Sequence, residues 1–151
     1  MRYAIVDLES TGSRLEEGDR IIQIGAVIVE DHQVLDQQEM LINPQREIPI
    51  GIQQLTGIGQ DQLDQAPCFG QVAGLWMHKL QDCVFLAHNL NHDLRFLVAE
   101  FKQAGFDFQP KAIDTVLLTK MILPQASGFN LTDLSQDLGL SFDQAHQAFA
   151  D

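Results

Sequence analysis

The hydrophobic pattern of this chain changes period once, near residue 50, and that change limits the folds open to it. Before it, residues 3–8, 20–29 and 34–42 read as strands, with β-branched content and partial alternation. Gly18-Asp19 and Glu30-Asp31-His32 supply short polar connections, which favour antiparallel neighbours over helical crossovers. After Asn43-Pro44 the apolar residues recur at helical spacing: a short piece closes at Leu55, and a longer one follows Pro67 with Val72, Leu75, Trp76 and Leu80 on one face. The run Cys83-Val84-Phe85-Leu86-Ala87 is uninterrupted and short, as in a buried strand. A helix over 93–104 follows, carrying Leu94, Leu97, Val98 and Phe101 and ending at Gly105. A strand at Ala112-Ile113 leads to a helix capped by Asp114-Thr115, and Asn130 caps another that stops at Gly139. The pattern predicts an α/β fold: a mixed sheet that opens with an antiparallel three-strand meander and continues through helical crossovers, with helices on both faces.

At 151 residues and 45% hydrophobic content the chain suits one domain, residues 1–151. Nine Lys and Arg against 21 Asp and Glu leave a net charge of −12, with the basic residues scattered singly. A broad phosphate-gripping surface is therefore excluded, and nucleic acid could be held only locally, where bound cations invert the field. Acidity alone suits a protein-binding module equally. Cys68 and Cys83 lack metal spacing and are expected as buried free thiols. No apolar stretch reaches membrane-spanning length and no signal-peptide pattern is present, so no membrane partner and a cytoplasmic location are expected.

Three groups of residues could carry chemistry. Asp7 and Glu9 lie two apart at the end of the first strand, so both carboxylates point to one face; Ser10-Thr11-Gly12 then forms a turn able to offer backbone N–H groups to a ligand. Glu17 and Asp19 share that spacing without the context, and are assigned no role. Asn89 and Asp93 flank the start of the helix after the buried strand, where capping and the helix dipole explain them as well as metal binding does. His146 and Asp151, five apart, cannot share a helical ridge, so His146 is expected on the loop before the helix.

Together these residues form a pattern. Asp7-Leu8-Glu9-Ser10-Thr11-Gly12, Ala87-His88-Asn89 with Asp93, and His146 with Asp151 resemble, in order and spacing, the three motifs of the DEDDh exonucleases of the DnaQ-like, RNase H-like superfamily. Leu55-Thr56-Gly57-Ile58, Ile113-Asp114-Thr115 and Leu131-Thr132-Asp133-Leu134 are similar to its secondary markers. Within it, the segments starting at Tyr3, Gln71 and Asp82 resemble most the N-terminal exonuclease domain of DinG-type helicases of Gram-positive bacteria, which implies that residues 1–151 are a fragment of a longer chain. One departure is His92, where the family more often carries an aromatic residue.

The resemblance implies a 3′-to-5′ exonuclease that releases nucleoside 5′-monophosphates from single-stranded or frayed DNA ends by a two-metal-ion mechanism. It implies Asp7, Glu9, Asp93 and Asp151 as ligands of two Mg²⁺ or Mn²⁺ ions, and His146 as general base. It also implies Ser10, Thr11, Gly12, Leu55, His88 and Asn89 as substrate contacts, and a helicase or polymerase module as partner. An RNA-directed exonuclease of the same fold and an inactive acidic interaction module remain as alternatives.

Overall fold

The computed structural model describes residues 1–140; His146 and Asp151 lie outside the described residues. Strands β1 (Arg2–Ser10), β2 (Ile21–Glu30) and β3 (Gln33–Leu41) form the expected antiparallel meander. Helices α1 (Ile50–Thr56), α2 (Gln60–Asp64) and α3 (Phe69–Leu80) follow. Then come β4 (Val84–Ala87), α4 (Asn91–Gln103), β5 (Ala112–Asp114), α5 (Thr115–Ile122) and α6 (Leu131–Asp137). The five strands lie in the order β3-β2-β1-β4-β5, with β4 parallel to β1 and β5 parallel to β4. The later strands need crossovers because parallel neighbours cannot be joined by a hairpin, and α4 supplies the one between β4 and β5.

Alternation along β1 divides its side chains between two environments. Ala4, Val6 and Leu8 are buried against α3 and α4, whose Phe69, Ala73, Trp76, Phe96, Leu97 and Phe101 complete the main core. Each such large apolar side chain contributes roughly 1.5–3 kcal/mol by burial, enough to fix the register of the whole strand. Tyr3, Ile5, Asp7 and Glu9 therefore point the other way, where α5 and α6 stand. A second, smaller cluster of Ile22, Ile48, Ile58 and Leu63 seats α2 beside the start of β2.

Several local expectations are corrected. Leu75 is 43% exposed and off the buried face of α3, which is formed instead by Phe69, Ala73, Trp76 and Leu80 at true helical spacing. Asn89 does not cap α4: Leu90 holds the cap position without a side-chain bond, and Asn89 adopts a left-handed backbone, φ 70°. Cys68 is only half-buried, whereas Cys83 is buried as expected; both are free. The caps at Asp114 and Asn130 form as predicted, each accepting a backbone N–H at 2.8 Å. Among the described residues no helix is long and apolar enough to cross a membrane.

Candidate active site

β1 outruns its parallel neighbour. Only Tyr3–Ile5 pair with β4, while the strand continues to Ser10, so its last residues project past the end of β4. The chain leaving β4 turns through His88 to Leu90 into α4, whose first turn carries Asp93 into this gap. Asp93 is 5% exposed and accepts the backbone N–H of Leu8, the residue between Asp7 and Glu9, as well as its own N–H. Burial pushes the Asp93 carboxyl up to about 7, the two backbone bonds oppose that, and the charge of Glu9 adds to it. Asp7 lies opposite Gly25 on β2, so its cross-strand neighbour brings no side chain to crowd it.

A groove of about 280 Å³ runs from this strand end along the face between β1 and the last helices. Ile5 and Asp7 form its floor, Ala87 and His88 one end, and Thr115, Thr119, Leu131 and Leu134 its wall. Both ring nitrogens of His88 are engaged: Nδ1 lies 2.9 Å from the Thr115 hydroxyl and Nε2 2.9 Å from the Phe129 carbonyl. His88 therefore ties the end of β4 to α5 and to the approach to α6, where the sequence suggested a substrate contact.

The turn after β1 is likewise built inward. Ser10 and Thr11 are 7% and 2% exposed. The Thr11 N–H donates to the Arg20 carbonyl at 2.9 Å, so it is not offered to a ligand as the sequence suggested. Ser10 Oγ donates to the Gly12 carbonyl at 2.6 Å and sits 3.3 Å from His92 Nε2. The serine proton being spent, the His92 N–H is the donor in that second contact. The His92 ring packs on Phe96, 4.6 Å between centroids, and burial followed by the charge of Arg95 lowers its pKa. Asp19, assigned no role from sequence, pins the turn by accepting from the Thr11 hydroxyl at 2.8 Å and the Arg14 N–H at 2.9 Å. A Cβ on Gly12 would overlap that carboxylate, which explains the glycine. Behind the turn, Arg20 forms a two-pronged ion pair with the 3%-exposed Glu100, at 2.6 and 2.7 Å, and this bond keeps the guanidinium firmly protonated. Nothing in the local sequence pattern signals a pair 80 residues apart. Leu55, expected at the substrate, is 55% exposed on α1.

The donor set fits a hard divalent cation in kind. Asp7, Glu9 and Asp93 offer oxygen only, as Mg²⁺ and Mn²⁺ prefer. Burial, and after it the charge of Glu9, disfavours the ionised Asp93 carboxyl, the form that a cation would favour. Among the described residues no three His, Cys, Asp or Glu side chains are gathered so that they could hold a metal ion. Asp7, Glu9 and Asp93 are described, and the fourth expected carboxylate, Asp151, lies outside the described residues.

Positive charge elsewhere is largely consumed. Six of the nine basic residues sit in ion pairs: Arg2 with Glu30, Arg14 with Glu17, Arg20 with Glu100, Arg46 with Asp19, Lys79 with Asp36, and Arg95 with Glu16.

Comparison with known proteins shows the family and the fold. The family model RNase_T, described as "Exonuclease", matches residues 4–151. The protein named 3′-5′ exonuclease DinG from Staphylococcus aureus strain USA300 is 41% identical over 150 residues, 99% of this chain. The chain spans 17% of that relative's length. Among solved structures, Escherichia coli exonuclease I with a dT13 oligonucleotide superposes with a TM-score of 0.84 at 17% identity, covering 99% of this chain and 38% of that one. The nuclease domain of 3′hExo, titled a DEDDh family member bound to rAMP, gives 0.83 at 24%, covering 99% and 85%. Exonuclease X with 5′-overhanging duplex DNA gives 0.74 at 20%, covering 97% and 78%. At these identities the structures establish the RNase H-like fold.

Proposed function

The chain belongs to the exonuclease family whose model spans residues 4–151, and on that premise we propose that it removes nucleotides one at a time from the 3′ end of single-stranded or frayed DNA. The observation that carries the proposal is the placement of Asp93 against the Leu8 N–H, which brings the carboxylate of α4 to the strand end bearing Asp7 and Glu9. Asp7, Glu9, Asp93 and, from the sequence, Asp151 are the oxygen donors for two divalent cations, Mg²⁺ or Mn²⁺. Such ions supply electrostatic stabilisation of the charge that develops on a phosphate under attack.

The chain's own groups do the rest. His146, neutral at working pH, takes the proton of the attacking water as general base. Leu131 and Leu134 give the groove an apolar wall facing Asp7, which lowers the local dielectric and strengthens electrostatic interactions there. Asp19 and His92 hold the Ser10-Thr11-Gly12 turn, and through it the end of β1, while His88 sets the far wall. Leu55 and Asn89 flank the terminal nucleotide. Products are nucleoside 5′-monophosphates. Because the relative it matches is about six times longer than the aligned part, residues 1–151 are proposed as one module of a longer chain, delivering activity beside a helicase or polymerase module.

DNA is preferred over RNA because the exonuclease I and X neighbours were solved with DNA. The rAMP-bound neighbour keeps RNA as the second substrate to assay. Incubation of 5′-labelled DNA and RNA of one sequence with Mg²⁺, Ca²⁺ or a chelator tests the proposal. A ladder shortened stepwise from the 3′ end, on DNA, with Mg²⁺ alone, is the expected result. Products that persist in chelator, or that shorten from the 5′ end, would refute it.

A further inference from the structure

Three basic residues stand outside the ion pairs described above: Lys102, Lys111 and Lys120. Topology separates them. α4 starts at the end of β4 that carries the site and runs back along the sheet, so Lys102 in its last turn lies at the opposite edge. Lys111 precedes β5, which is parallel to β4, and so lies at that same far edge, in a hollow with Met1 and Arg2. Lys120 alone belongs to an element that walls the groove: its neighbour Thr119 and Thr115, one helical turn before, line the cavity that contains Asp7. It is exposed, and its ammonium lies 5.3 Å from the centre of the Phe129 ring. Phe129 in turn is fixed to the groove by its carbonyl, which accepts from His88 Nε2 at 2.9 Å.

We propose that Lys120 and Phe129 form a subsite for the strand on the 5′ side of the terminal nucleotide, with the ammonium on a backbone phosphate and the ring under a base. The proposal rests on the nuclease reading above. In a chain with a net charge of −12 a cation along the path of the strand favours binding, and of the basic residues outside ion pairs Lys120 is the one whose helix walls the groove. A cation–π contact at an exposed site is weak enough to be exchanged for a phosphate. Once the ammonium moves, the ring face it covered becomes a stacking platform that accepts any base, as suits an enzyme that must pass every sequence.

The test uses the intact protein with two substrates: a single-stranded oligonucleotide, and the p-nitrophenyl ester of thymidine 5′-monophosphate, which has no flanking nucleotides. For Lys120→Ala the ratio of kcat/KM for oligonucleotide over ester should fall about tenfold, mostly through KM. The salt dependence of oligonucleotide KM should weaken by about one power of salt concentration. Phe129→Leu, which keeps the carbonyl bonded to His88, should lower the same ratio severalfold. Lys120→Gln, which keeps the alkyl stem over the ring, should reproduce the alanine result and so exclude a folding artefact. An unchanged ratio and salt slope in an otherwise active protein would overturn the subsite alone. Wild-type protein that hydrolyses neither substrate would overturn the nuclease reading and the subsite with it.

Discussion

Asp93→Asn should stabilise the cation-free domain at alkaline pH while destroying its use of metal. The Asp93 carboxyl stands at about 7 instead of 3.8, so the folded state holds a proton that the unfolded chain has lost between those values. Stability is therefore fully present below about pH 4 and declines as pH rises through 7. Three units correspond to about 4 kcal/mol as an upper bound, since each unit is worth about 1.4 kcal/mol. Asparagine carries no charge but has one acceptor oxygen for the two backbone N–H groups that Asp93 serves, so about 1 kcal/mol is returned. A net gain of about 2–3 kcal/mol raises Tm by about 5–10 °C in a domain of this size. Thermal melts in chelator from about pH 5 to 8 should show the variant ahead at the alkaline end and the two proteins converging at the acid end. Added Mg²⁺ should then raise the Tm of wild type at alkaline pH and leave the variant nearly unmoved. A variant no more stable than wild type at alkaline pH in chelator would show that burial and the Glu9 charge do not load Asp93 as described.

Other outcomes follow from the same geometry. Activity at saturating Mg²⁺ should fall as pH drops through the imidazole range, about 6.5, as His146 takes up a proton; a flat pH–rate profile there would point to another base. Asp7→Ala should abolish turnover and leave the far-ultraviolet circular dichroism unchanged; retained metal-dependent activity in that variant would assign the cleavage to a contaminant. Gly12→Ala should cost about 1–3 kcal/mol by overpacking against Asp19, and Asp19→Ala should largely abolish that cost in a double-mutant cycle by chemical denaturation. Glu100→Ala strands the Arg20 guanidinium, and denaturation should register a loss of about 3 kcal/mol.

Most of the architecture was legible because it rests on period. The two-residue spacing of Asp7 and Glu9 placed both on one face of β1, and the structure buries Ala4, Val6 and Leu8 on the other. Asp114 and Asn130 were legible as caps because their signal is local. Contacts between distant segments were not. Spacing places Glu17 and Asp19 on the same footing as Asp7 and Glu9, and only the fold shows Asp19 closing onto Thr11 and Arg14. The two nitrogens of His88 look available in a motif and are spent on Thr115 and Phe129 once β4, α5 and α6 assemble. Leu75 was misplaced because an apolar residue beside a buried Trp76 satisfies a helical count within one position while pointing about 100° away.

Crystals of the protein soaked in Mn²⁺ and measured at the manganese absorption edge would locate cations directly. Anomalous peaks within bonding distance of Asp7 and Glu9, with Asp93 and Asp151 completing their shells, are the predicted result, and Asp7→Ala crystals should lose them. Peaks confined to other parts of the surface, in protein that still degrades DNA from its 3′ end, would contradict the assignment of hydrolysis to these carboxylates.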